Sequence, residues 1–382
     1  MPSVFFISLM AGSPWGGSEE LWYKTALHAA RKGWKVGCAV YHWPAKEEKM
    51  RALKDAGTKI YYIPNKGRSK RNLAERVQNK ISKAKAKAYI QTLPVKEYDT
   101  VVISQGAFEV TTPTWRKFYN RLDKYVVLYH NYKEHEVLTG DKKAAVENWC
   151  SHASLNLFAS RRIIEVLESN SDIRPPNAGI LLNPISFEPP MELTPYPALY
   201  NGNYRFVMLA ALEVWRKAQD KLIQALSSEK WKQRNWDLQL YGEGKDRQDL
   251  QELIIKTGLQ QKVFLQGNTN DPKSALESAH LLLQLTYIDA MPLSVVEALA
   301  LGRPVAASKI GDMPYWINEG ENGWISKDAS AGEIDATLER AWQQREEWPK
   351  MGENAFATFK RKFPASAEEN LLQQIEVLIV KD

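Results

Sequence analysis

Short continuous apolar runs alternate with amphipathic stretches along almost the whole chain. This pattern is expected for strands buried on both faces and separated by covering helices. Val4–Met10 reads as a first strand, and Gly16-Gly17-Ser18-Glu19-Glu20 follows it. An amphipathic helix then runs through Leu21, Thr25, Ala29 and Arg31 and is closed by Gly33. Lys35–Tyr41 predicts a second strand, Glu47–Ala56 a helix ended by Gly57, and Lys59–Ile63 a third strand. Thr100–Ser104 and Tyr125–Tyr129 predict two more. Asn183–Met191, with further prolines to Pro197, reads as a linker. Beyond it the pattern restarts, with strands near 205–212, 237–241, 262–266, 281–287 and 303–308, each followed by a helix-like segment. Pro349 interrupts the late helical region, and a last amphipathic helix is expected from Ala365 to Val380. Two α/β domains of the doubly wound, Rossmann-like kind follow, 1–185 and 198–360, with a ligand cleft expected between them.

Composition narrows this picture. The 382 residues are 44% hydrophobic and 25% charged, as in an ordinary soluble globular chain. No apolar run reaches the roughly eighteen residues of a spanning helix. Val4–Met10 has no basic region before it and meets a glycine turn, so it is read as a strand and not as a signal peptide. Cys38 and Cys150 stand far apart, which suggests neither a disulfide framework nor a zinc site and fits a cytoplasmic location.

Net charge is +6, unevenly spread: residues 1–190 hold 29 Lys and Arg against 18 Asp and Glu, and the remainder 22 against 27. The excess is densest from Lys66 to Lys87, where nine basic residues face only Glu75. Over residues 66–90 the sequence predicts a basic helix with a thin apolar stripe at Leu73, Val77, Ile81, Ala84 and Ala88. Such a helix is either a solvated face or a surface for an anionic membrane or an acidic, lipid-linked acceptor. Nucleic acid is the poorer partner, because no interleaved aromatic platform or recognition motif accompanies the charge.

The richest chemistry lies at Asp289-Ala-Met-Pro-Leu-Ser-Val-Val-Glu297. It follows an apolar strand and opens a helix at Leu293–Ala300, with Pro292 at the entrance, where a missing N–H costs nothing. The N–H groups of Leu293, Ser294 and Val295 are expected to be unpaired and to suit a phosphate. Glu297 is placed to accept hydrogen bonds from a ribose diol and Asp289 from sugar hydroxyls. Taken alone, the two carboxylates are equally a solvated loop residue and a surface helix residue. Gly242 and Gly244 form a tight strand-to-helix turn, but Arg247 occupies the third position of a dinucleotide fingerprint, which argues against NAD.

This segment resembles the acidic motif of the retaining glycosyltransferases of family 4, built on the two-Rossmann-domain GT-B plan, in which two glutamates flank seven residues. The resemblance continues through Ala298–Val305, Gly311 and Asn322-Gly323, and upstream through Arg216–Leu226, Leu240–Gly244 and Val263–Gly267. It implies a nucleoside-diphosphate-sugar donor bound in the second domain, and a glycan or lipid-linked acceptor on the side of the first. Lys217, with Arg216 beside it, should meet the donor diphosphate; Gln266 and Gly267 should lie near the base. Gly244, Met291, Pro292, Leu293 and Ser294 complete the implied donor site with Asp289 and Glu297. A helix at 361–382 is expected to cross back and pack on the first domain.

Three departures stand out. Ala211 holds a position where the family commonly has a diphosphate-binding arginine, with Arg216 the nearest replacement. Asp289 replaces a glutamate, and the usual Gly-Gly-x-x-Glu turn appears as Gly311-Asp-Met-Pro-Tyr315. In the first domain the resemblance singles out Gly17, as a contact to donor phosphate or acceptor, and His130, close to the transferred sugar.

No Asp-x-Asp pair or cluster with metal-ligand spacing occurs, so neither metal nor other cofactor is expected. No paired carboxylates suit a two-carboxylate hydrolase. The expectation is a metal-independent retaining hexosyltransferase of polysaccharide or envelope glycan synthesis, cytoplasmic and peripheral on the inner face of a membrane. Two alternatives remain open at this stage: a sugar-nucleotide-binding protein without turnover, and a sugar-nucleotide epimerase of the same architecture.

Overall fold

The computed structural model describes residues 1–10, 15–64, 84–106, 108, 112–363 and 366–380. The chain divides into two compact units, Met1–Pro184 with Ser366–Asp382, and Ile185–Ala365. Each is built on one sheet whose strand pairs are all parallel.

The first sheet contains β1 (Ser3–Ser8), β2 (Lys35–Tyr41), β3 (Lys59–Ile63), β4 (Thr100–Gln105), β5 (Tyr125–Tyr129), β6 (Leu155–Phe158) and β7 (Ala178–Ile180), in the order β3-β2-β1-β4-β5-β6-β7. The strands β1, β4 and β5 are buried along their whole length, as their unbroken apolar runs require. The C-terminal helix Ala367–Val380 lies against the helix Gly17–Arg31. It adds Leu371, Leu372 and Ile375 to a core that also holds Leu21, Trp22 and Ala26.

The second sheet contains β8 (Tyr204–Leu209), β9 (Trp236–Tyr241), β10 (Val263–Gly267), β11 (Leu281–Gln284), β12 (Val305–Ser308) and β13 (Gly323–Ser326), in the order β10-β9-β8-β11-β12-β13. Its core is rich in indoles, with Trp231, Trp236, Trp324, Trp342 and Trp348 in one cluster. Arg303 is fully buried on this unit without a carboxylate among its hydrogen-bond acceptors. Its guanidinium donates to the carbonyls of Leu276, Leu301, Pro195 and Glu277, and the Tyr196 ring lies 5.4 Å away. Helix ends carry partial negative charge on such carbonyls, which offsets the buried cation. Burial still pushes the Arg303 pKa down to about 10.

The predicted pair of doubly wound sheets is present, with three strands, β6, β7 and β13, that the apolar pattern did not announce. Pro349 does not interrupt a helix. It is the second residue of the helix Trp348–Lys362, where no N–H is needed. Of the basic region 66–90, residues 66–83 lie outside the described residues. In the part described, residues 84–91 are helical, Ala84 and Ala88 are exposed, and Ala86 and Ile90 are buried instead. The apolar stripe expected through Ala84 and Ala88 is therefore not the packed face.

Candidate functional site

In both sheets the strand order reverses once, between β1 and β4 and between β8 and β11. Loops leaving neighbouring strands at such a point diverge and leave a crevice at the carboxyl edge, the usual ligand position in doubly wound sheets. The second unit fills that position with charge. The Val214–Lys217 helix follows β8, and its Lys217 ammonium pairs with the Asp289 carboxylate, which follows β11. Both side chains are largely buried.

Backbone contacts hold this pair in place. The Arg216 carbonyl accepts from the Thr286 hydroxyl at 2.6 Å and from the Tyr287 N–H at 2.9 Å, while the Thr286 N–H donates to Ser308 Oγ at 2.9 Å. The segments after β8 and β11 and the end of β12 are thus tied together next to Lys217 in sequence. Ala218, directly after it, sits at φ 49°, left-handed backbone that a Cβ makes unfavourable.

Glycines allow the surrounding loops to close. A Cβ on Gly242 would lie 2.0 Å from the Ala210 carbonyl oxygen, and one on Gly244 2.2 Å from that of Leu212. Gly311, at φ 55°, would meet the Ala290 oxygen at 2.1 Å and the Asp289 oxygen at 2.6 Å. Gly311 is therefore what lets the loop after β12 press on the Asp289 backbone.

The helix Leu293–Ala300 begins after Pro292, and among the described residues no side chain caps it. The expectation of three free N–H groups needs correction, because the Val295 N–H donates to the Pro292 carbonyl at 3.1 Å in a tight first turn. Ser294 is buried, with its hydroxyl 3.3 Å from Gln284 Oε1. Glu297 is buried and accepts from the Ser186 N–H at 2.8 Å. Burial pushes its pKa up, against the hydrogen bonds from Ser186, which pull it down.

The other predicted donor residues divide. Met291 is buried beside Asp289 in sequence. Arg216 pairs with Glu213 at 3.2 Å, and its Nε is buried without a partner. The Gln266 amide donates to Gln239 Oε1 at 2.5 Å, while the Gly267 carbonyl accepts from the Gly242 N–H at 2.7 Å. Ala211 offers only its carbonyl, which accepts from the buried Gln219 amide at 2.8 Å.

In the first unit, Gly17 opens the helix Gly17–Arg31 just beyond β1, with Gly16 extended before it. A buried ion pair that sequence reading missed braces this turn. Glu19 and Lys46 are 0% and 1% exposed, and Lys46 Nζ donates to Glu19 Oε2 at 2.5 Å. The Ser8 hydroxyl, at the end of β1, donates to the other Glu19 oxygen at 2.6 Å. Glu20 is likewise engaged, by Trp15 Nε1 at 2.6 Å and by Lys49. His130 follows β5, and its Nε2 lies 3.0 Å from the Ser104 hydroxyl at the end of β4. Burial lowers the imidazole pKa to about 4, with Asn183 pulling the other way, so the ring is neutral at pH 7.

Among the described residues, no group of three His, Cys, Asp or Glu side chains is arranged to hold a metal ion. Nor is any helix among them long and apolar enough to cross a membrane.

Comparison with known proteins bears on both units. Residues 196–358 match the family described as Glycosyl transferases group 1. The chain is 22% identical over 306 residues to the poly(ribitol-phosphate) alpha-N-acetylglucosaminyltransferase of Staphylococcus aureus, covering 76% of this chain and 56% of that protein. It is 28% identical over 153 residues to the poly(glycerol-phosphate) alpha-glucosyltransferase of Bacillus subtilis, covering 38% of this chain and 22% of that protein. The chain thus spans about half, or less, of the length of these relatives. A crystal structure of an S. aureus TarM mutant, in complex with fondaparinux, alpha-GlcNAc-glycerol and UDP, superposes with a TM-score of 0.72 at 14% identity. That match covers 99% of this chain and 100% of the other, and it places the fold with the two-Rossmann-domain GT-B proteins.

Three measurements check this description. Lys46→Met strands a buried carboxylate and should lower unfolding free energy by about 3–5 kcal/mol, whereas adding Glu19→Leu should restore most of it; denaturant melts that show no difference between the two variants contradict the pairing. Ala218→Gly should raise stability by about 1 kcal/mol by relieving the left-handed residue. An unchanged or lowered midpoint would mean that the turn is not strained. Finally, His130, and His280 with a pKa of about 4 for the same reason, resist protonation when folded. Unfolding therefore takes up protons between pH ~4 and ~6.5, and these two groups cost stability as pH falls through that window. Imidazole proton resonances of the folded protein should titrate near pH 4, and midpoints near 6.5 for both would refute the burial argument.

Proposed function

We propose, from the match of residues 196–358 to the glycosyl transferases group 1 family, that the chain transfers a sugar from a nucleoside diphosphate to a glycan or lipid-linked acceptor with retention of configuration. The observation that carries this reading is the Lys217–Asp289 pair, held at the strand-order reversal of the second sheet beside glycine turns and an uncapped helix start.

In this reading the Lys217 ammonium and the N–H groups of Leu293 and Ser294 take up charge on the departing diphosphate, where fixed donors in a dry site stabilise a transition state most. Arg216, Gly244, Met291 and Pro292 line the same diphosphate and sugar region, and Gln266 and Gly267 border the base. Asp289 binds hydroxyls of the transferred sugar. Glu297 accepts from the ribose diol alongside its hydrogen bond from the Ser186 N–H. The bond from the anomeric carbon to the phosphate oxygen breaks, and the acceptor oxygen bonds to that carbon on the same face. The acceptor proton passes to the departing phosphate, so no protein base is required and no metal is called on. Neutral His130 offers a hydrogen bond to the sugar, and Gly17 bare backbone to phosphate or acceptor.

The two named relatives both form alpha linkages on polyol-phosphate polymers, and the TarM structure holds UDP, which supports an envelope polymer as acceptor and makes UDP the first nucleotide to test. The basic run from Lys66 to Lys87 supports work at an anionic, cytoplasmic membrane face. One observation favours a second reading, a nucleotide-sugar-binding protein without turnover: Ala211 supplies no guanidinium to the diphosphate.

Calorimetry with UDP and UDP-sugars tests the assignment. Glu297→Ala and Lys217→Ala should each weaken binding about tenfold to a hundredfold, the worth of a hydrogen bond to a charged group. Unchanged affinity in both variants would remove the site. Binding without acceptor-dependent UDP release would decide for the second reading.

A further inference from the structure

The first unit contains a cavity far from His130 along its own strand. It has a volume of about 500 Å³, within the range of small-molecule sites. The helix Pro113–Tyr119, the start of β5 and the helix Gly140–His152 form it. Tyr125 is the first residue of β5 and His130 follows the last, so roughly 16 Å of strand separates the cavity from the carboxyl edge.

One wall is a rigid aromatic stack. Trp149 is sandwiched between Tyr119, with ring centroids 3.6 Å apart, and Tyr125, at 4.1 Å. The Tyr125 hydroxyl donates to the Trp149 carbonyl at 2.6 Å, which fixes the helix against the strand. With both faces of Trp149 covered, the wall is braced by its own stacking. Around it the lining is polar, with Arg116, Asn120, Asp141, Asn148 and His152. Arg116 Nε and Trp149 Nε1 are buried and have no partner.

The chemistry of this lining selects a ligand class. One guanidinium and one carboxylate cancel, so neither a phosphate nor an amine is favoured. Two amides each donate and accept, which matches hydroxyl groups that do the same. We propose that this cavity binds a neutral saccharide unit, distinct from the sugar being transferred. It rests on the transferase reading for the source of that saccharide, the glycan acceptor. A polymer attached at a second point has a higher effective concentration at the transfer site, without any new contact there.

The test titrates the full chain with maltotriose, mannotriose, tri-N-acetylchitotriose, inorganic phosphate and UDP, followed by saturation-transfer NMR. A double variant, Asp141→Ala with Asn148→Ala, changes two exposed side chains, and an unaltered melting temperature and UDP affinity show that it is folded. At least one trisaccharide should bind the wild type, and the double variant should bind it at least about fivefold more weakly. UDP should not displace it. The proposal is overturned if no trisaccharide binds, if the variant binds equally well, if UDP competes, or if phosphate takes the cavity instead. Failure of every nucleoside diphosphate tested to bind, UDP first among them, would sink the transferase reading separately, because the trisaccharide result is read on its own.

Discussion

The second unit depends on how closely its loops approach one another at the carboxyl edge of the sheet. At Gly242, Gly244 and Gly311 the neighbouring chain passes so near that any Cβ would sit inside a carbonyl oxygen. Beside those close approaches, the segments after β8 and β11 and the end of β12 share hydrogen bonds through Arg216, Thr286 and Ser308. That shared frame brings a lysine and an aspartate 72 residues apart into contact. The sheet supplies the position, the glycines supply the approach, and the charged pair follows from both.

The two units manage buried charge in related ways. Each has a lysine brought against a carboxylate beside the reversal of strand order, Lys46 on Glu19 in the first and Lys217 on Asp289 in the second. Removing ions from water costs more than a simple pair returns, so such pairs are weak evidence for stability and better evidence for fixed geometry. They differ in exposure. Glu19 and Lys46 are sealed, with every carboxylate oxygen bonded, and they act as a brace. Lys217 and Asp289 keep some contact with solvent, which leaves them able to exchange one partner for another.

Much of this was legible in the sequence, for identifiable reasons. Unbroken apolar runs such as Tyr125–Tyr129 announce strands buried on both faces, and the turn glycines flag close approach. Strands of three or four residues, such as Ala178–Ile180 and Gly323–Ser326, are too short to show a period. Lys46 carried no signal, because nothing local says that a lysine following a proline turn will be buried against a glutamate 27 residues earlier. The Ser186 contact to Glu297 was invisible for another reason: the donor is a backbone N–H, which every residue except proline possesses. The Val295 N–H was misjudged because a first turn can tighten and satisfy itself. In the candidate site, side-chain identities were readable and backbone partners were not.

Arg303 bears on where the second unit begins. Its buried charge is answered by carbonyls alone, one of them that of Pro195 in the proline-rich connector, with the Tyr196 ring alongside. Glu297 is similarly tied to Ser186, six residues after Ala178–Ile180 leaves the first sheet at its end and just past the boundary between the units. The connector is therefore internal upholstery of the second unit as much as a tether. An excised fragment that starts at the first residue of the family match, Tyr196, would leave an ion and a carboxylate facing gaps, so a self-sufficient fragment has to begin by Ile185.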